Sequence, residues 1–234
     1  MIKTKDKNSE ELSNLEQWKG LFKIGGIASL IIVLLIPIQM FFFITWPPPE
    51  TAVEFFALFQ ESWILGLISL DLLYIISNIL MIPMLLSLYI ALRERNQSYM
   101  LISIIICLIG LAAFLSSTVM FEMASLSNQY VVATTNDQKI QLLGAGAAML
   151  ATYKGTAFAI YYILNAIGLI ILSVVMLQGS VFGKKTAYSG LISGILMIIP
   201  STFGMIGLML SVFSLIPWSI FSVLVTKELL KLAK

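Results

Sequence analysis

Asp71, Tyr74 and Asn78 lie within the stretch LDLLYIISNILMIP. Tyr74 and Asn78 follow Asp71 by three and seven positions, so one face of a helix carries all three. A carboxylate, a phenol and a carboxamide in an apolar run can hold a cation, pass a proton or bind the polar head of a ligand. An ionisable group inside a membrane span is a functional-site candidate by default. Depth tempers that. Arg93 stands 22 residues after Asp71, or about 33 Å at 1.5 Å per residue, which puts Asp71 near a lipid–water boundary. Asn78 is deeper, and a hydrogen bond between helices contributing under about 1 kcal/mol would account for it. Glu122, in FEMASLSNQY, and Asn165, in YYILNAIG, fall at similar heights by the same rise. Lys154 and Lys139 are the only cations on that side; Lys154 is the expected counter-ion of Asp71, with Lys139 as the alternative. The six candidate ligand-binding residues are therefore Asp71, Tyr74, Asn78, Glu122, Lys154 and Asn165.

Other chemistries are scarce. The chain has no histidine, which removes His-based triads, relays and zinc sites. Its single cysteine, Cys107, cannot form an internal disulfide and sits in apolar IIICLIG, where an unreactive thiol facing helix or lipid is expected. No Walker A loop, G-x-G-x-x-G, H-E-x-x-H or G-x-S-x-G is present. No metal or cofactor is expected.

These side chains must be positioned by membrane helices. Of 234 residues 59% are hydrophobic and 11% charged, with mean hydropathy +0.97. Soluble domains carry about 25% charged residues, and a globule of this size could not hide so much apolar surface. The net charge of +2 gives no reason to expect nucleic acid as a partner. Six segments approach the roughly 20 residues a crossing needs: Ile24–Thr45, Ile64–Leu92, Met100–Met120, Thr156–Leu177, Tyr188–Met205 and Leu208–Thr226. The second is over-long and is expected to project or tilt. Prolines 37, 83, 200 and 217 predict kinks inside spans. Twelve of the fourteen Lys and Arg fall in the N-terminal segment, the second and fourth connections and the C-terminus. That places both termini in the cytoplasm of a multi-pass cell-membrane protein.

The expected fold is an all-α integral membrane protein, a bundle of six transmembrane helices with amphipathic helices in an extracytoplasmic cap. Residues 1–23 form a cytoplasmic amphipathic segment, 24–226 the membrane domain and 227–234 a basic cytoplasmic tail. In the first of these, Asn8 and Ser9 can cap a short helix with Leu12, Leu15, Trp18 and Phe22 on one face, lying on the membrane surface. The cap comprises about 47–62 and 121–155. Phe55, Phe56 and Phe59 are expected at headgroup level, with Glu54 and Glu61 toward water, and Asn136 as an N-cap. A plain lid over helix ends explains the cap more simply than a binding lid does.

LDLLY in the second span, FEMASLSNQY after the third and YKGTAF opening the fourth resemble an uncharacterised prokaryotic family of six-span membrane proteins, domain of unknown function 4386. The resemblance covers nearly the whole chain from Lys23 onward. It implies a similar all-helical membrane fold and supplies no activity, cofactor or catalytic residue. SNILMIP and SGILMIIP, in spans two and five, could mark an inverted repeat. Spans one and four, and three and six, show no counterpart, so chance explains the match better. Three functions remain open. The favoured one is non-enzymatic binding of a lipid or small amphiphile in an outer-leaflet polar pocket. The alternatives are a small secondary transporter using Asp71 or Glu122, and an intramembrane enzyme with those two as paired carboxylates. Oligomeric state is not legible.

Overall fold

The computed structural model describes residues 16–179 and 181–234, and among these every regular element is a helix. In chain order they are α1 (Lys19–Thr45), α2 (Ala52–Glu61), α3 (Trp63–Ser69), α4 (Leu72–Leu92), α5 (Gln97–Ser117), α6 (Met120–Val132), α7 (Asn136–Tyr153), α8 (Thr156–Leu177), α9 (Lys184–Leu196) and α10 (Gly204–Leu232). Five helical stretches are long and apolar enough to cross a membrane. Their outward faces carry exposed Ile, Leu and Phe, including Leu34, Phe41, Ile109 and Ile216. Both features are compatible with a multi-pass membrane protein.

The long helices form a closed antiparallel ring. Neighbours around it are α1, α4, α5, α8, α9, α10 and again α1. Small residues set the close seams. A Cβ at Gly25 would collide with Ser87 and the Pro83 carbonyl, and one at Gly168 with Cys107 and the Ser103 carbonyl. Hydroxyls bridge other seams: Ser29 Oγ donates to the Ser222 carbonyl at 3.0 Å and Ser103 Oγ to the Gly168 carbonyl at 2.7 Å. With lipid as apolar as a core, such close packing and interhelical hydrogen bonds hold membrane helices together.

Several expected boundaries move. The second span is not one tilted helix. It breaks at Leu70–Asp71, where Asp71 adopts a left-handed φ of 67°, and Trp63–Ser69 becomes α3. The third stops at Ser117 because Thr118 turns extended, so Glu122 lies on the separate helix α6. Thr156–Leu177 is as expected. The fifth, expected over Tyr188–Met205, is the 13-residue helix α9, at about 20 Å too short to cross the hydrocarbon by itself. Pro200 therefore lies in the 197–203 connection, not inside a span. The tail at 227–234 is not separate, since α10 continues to Leu232.

The helices α2, α3, α6 and α7 cluster at the end of the ring where α1 stops and α4 and α8 begin. Thr51 and Thr135 open α2 and α7 with reciprocal capping boxes, so Asn136 is the first helical residue and not the cap. Phe55, Phe56 and Phe59 do not face a headgroup layer. They are buried between these helices, Phe56 against Tyr130 and Phe59 against Gly66. Gln60 Nε2 donates to Ser127 Oγ at 2.9 Å, and Ser127 Oγ donates to the Phe56 carbonyl at 2.8 Å. The proposed N-terminal cap at Asn8 and Ser9, with Leu12 and Leu15, lies outside the described residues. Of the same amphipathic face, Phe22 is buried in the bundle and Trp18 lies under the Arg93 guanidinium.

Candidate functional site

Asp71 is held where α3 ends and α4 begins. Its carbonyl accepts from the Ile75 amide at 2.8 Å, starting the new helix, while the left-handed backbone turns the chain. Asp is among the residues that tolerate that conformation, because its short polar side chain can bond locally. The carboxylate is only 8% exposed. Its Oδ2 accepts a hydrogen bond from the Tyr153 hydroxyl at the end of α7. The expected ion pair with Lys154 is not formed: among the described residues no pair within 4 Å joins them. Lys154 is the exposed C-cap of α7, and it acts on Asp71 only through longer-range attraction. A capping residue at the rim keeps its ammonium in water, whereas the adjacent tyrosine can bury ring and hydroxyl together.

Just inside Asp71, Tyr74 and Tyr161 meet hydroxyl to hydroxyl at 2.7 Å across the ring. Phe114 packs edge-on to Tyr74, with centroids 5.1 Å apart, and against Tyr161 at 5.0 Å. One turn deeper, Asn78 Nδ2 donates to the Tyr74 carbonyl at 2.8 Å and Asn165 Nδ2 to the Tyr161 carbonyl at 2.9 Å. A carbonyl can only accept, so these bonds fix both amide groups and leave each Oδ1 as the free acceptor. Both Oδ1 atoms are buried without a partner, in residues 1% and 4% exposed.

These groups line a cavity of about 100 Å³ in the centre of the ring. Toward Asp71 its wall is polar, with Gln39, Tyr74, Asn78, Tyr161 and Asn165. Toward the opposite end it is apolar, with Met84, Leu85, Leu88, Leu172 and Phe221. From Tyr74 to Leu88 the wall runs about 21 Å along α4. A crevice of about 10 Å³, lined by Asp71, Gln39 and Tyr74 among others, adjoins the polar end. Cys107 lines the cavity and is otherwise buried in the helix packing, in keeping with its apolar setting.

The structure thus brings together Tyr74, Asn78 and Asn165, with Asp71 one turn above them. It does not bring in Glu122, which is exposed on α6 with no bond to Asp71. The extended break at Thr118 puts it on a separate helix, packed against α2, α3 and α7. Tyr161, Tyr153, Gln39 and Ser211 belong to the site or its rim and were not singled out by sequence. A signal for Tyr161 was available, since Tyr-x-x-x-Asn occurs at 74–78 and again at 161–165. No group of three acidic or cysteine side chains among the described residues could hold a metal ion. Compared with known proteins, the chain matches no family model, no curated protein and no solved structure.

Proposed function

We propose that this protein is a membrane binding protein that seats the head of one small or single-tailed amphiphile in the central cavity and does not transform it. The polarity gradient along the cavity carries this reading. Polar side chains at the Asp71 end suit a head group, and Met84, Leu85 and Leu88 suit the first part of a chain. An apolar cavity of about 150 Å³ accepts a benzene-sized molecule. One of about 100 Å³ accepts a head and a few methylenes, not a two-tailed phospholipid. In this reading the short helix α9 with its 197–203 connection completes a sixth crossing. The four-helix cluster is then extracytoplasmic, both termini are cytoplasmic, and the polar end of the cavity falls in the outer leaflet.

Native mass spectrometry of protein purified in a mild detergent tests the reading. A single retained amphiphile per chain is expected, displaced by added medium-chain amphiphile. Bare protein throughout, with no saturable adduct, overturns it. Glu122 is exposed on α6 while Asp71 is buried, which favours binding over catalysis by paired carboxylates.

A further inference from the structure

The ring is built from three consecutive helical hairpins: α1 with α4, α5 with α8, and α9 with α10. The second helix of each hairpin runs the same way, from the capped end toward the basic end. On each, one side chain lining the cavity about two turns from the helix start carries an unpaired oxygen: Asn78 on α4, Asn165 on α8 and Ser211 on α10. All three are at least nine-tenths buried, with Ser211 8% exposed. In all three the oxygen, Oδ1 or Oγ, has no hydrogen-bond partner. The other partnerless buried polar atoms, at Trp18, Ser173, Ser222 and Thr226, belong to residues that do not line the cavity. Buried polar groups are rarely left unpaired, and the two fixed carboxamide oxygens can be satisfied only by a donor.

The lining also restricts charge. Among the described residues no Lys or Arg faces the cavity, so an anionic head would be buried without a counter-charge. Among the described residues no carboxylate lines it either: Asp71 borders the adjoining crevice and already accepts from Tyr153. A cationic head meets the same obstacle as an anionic one. We propose that the occupant is an uncharged amphiphile whose head presents hydroxyl hydrogen to oxygens among Asn78, Asn165 and Ser211, one hydrogen from a long-chain alcohol or two from a monoacylglycerol. This rests on the binding role proposed above, and names the head group that the cavity selects.

Trp218 lines the same cavity and supplies the readout. In a variant keeping only that tryptophan (Trp18, Trp46 and Trp63 each changed to Phe), fluorescence quenching is measured with three eight-carbon probes. These are 8-bromo-octan-1-ol, 8-bromo-octanoate and 1-bromo-octane. The alcohol should quench saturably, with an apparent affinity about tenfold above each of the others, as one hydrogen bond to an otherwise unpaired acceptor provides. Changing Asn78 and Asn165 together to Leu should erase that preference while 1-bromo-octane still binds. Saturable quenching of equal strength by all three probes overturns the head-group assignment and leaves the binding role standing. Tightest binding of the carboxylate likewise overturns the assignment alone. No saturable quenching by any probe overturns both.

Discussion

Tyr153→Phe removes one oxygen atom, and the structure assigns that atom a specific task. It is the hydrogen-bond donor to a buried carboxylate at the point where α3 gives way to α4. A hydrogen bond to a charged group contributes about 1.5–3 kcal/mol, and losing it leaves Asp71 buried with one donor fewer. The substitution should therefore destabilise the protein by about 2 kcal/mol. For a chain of this size that lowers the thermal midpoint by about 4–8 °C. In an Asp71→Asn background the same change should cost about 1 kcal/mol or less, because a carboxamide is the weaker acceptor. Asn is the right background since it tolerates the left-handed φ of 67° that Ala or Leu would strain. Lys154→Ala, at an exposed site with no ion pair, should cost about 0–1 kcal/mol. The assay is thermal unfolding in mild detergent for the four members of the cycle plus Lys154→Ala. An unchanged midpoint for Tyr153→Phe, or a larger drop for Lys154→Ala, refutes the assignment.

Reporters fused after Lys234 and inserted after Arg95 should read cytoplasmic, and one at Asn136 extracytoplasmic; a cytoplasmic signal at Asn136 overturns the six-crossing arrangement. Gly110→Ala places a Cβ against Asn165 Nδ2 and within 3.3 Å of Leu164 Cβ, so it should disturb that carboxamide. Amphiphile retention in native mass spectrometry should fall, while Gly144→Ala, at an open position, should leave it unchanged. The Glu54 carboxyl is held below its usual range by the Glu50 amide first, then by the Thr51 side chain and amide. Because its folded value is depressed, its contribution is present above the ordinary carboxylate range and is lost as pH falls through the folded value. Exchange protection at the start of α2 should therefore decline only in acid, and Thr51→Ala should weaken it already at neutral pH.

The long apolar helices were legible in the sequence because hydropathy is a sum over a local window and needs no partner. The fourth span, Thr156–Leu177, was legible to the residue, since Gly155 and Gln178 bound an uninterrupted apolar run. The shared face of Tyr74 and Asn78 followed from helical spacing alone, whereas Asp71 stands outside that helix, at the left-handed break before it. What surrounds an apolar face was not legible. A residue that meets lipid and one that meets a neighbouring helix are equally apolar, so periodicity does not separate them. Phe55, Phe56 and Phe59 read as interfacial yet are buried beneath α6 and α7. Lys154 read as the partner of Asp71, but which of two adjacent side chains reaches it depends on how α7 ends, and Tyr153 is the one turned inward. The backbone break at Asp71, the departure of Glu122 and the closing of six helices around one cavity all depend on contacts between segments distant in sequence. Only tertiary packing decides those, because the free energy of each contact belongs to a pair of surfaces and not to either segment alone.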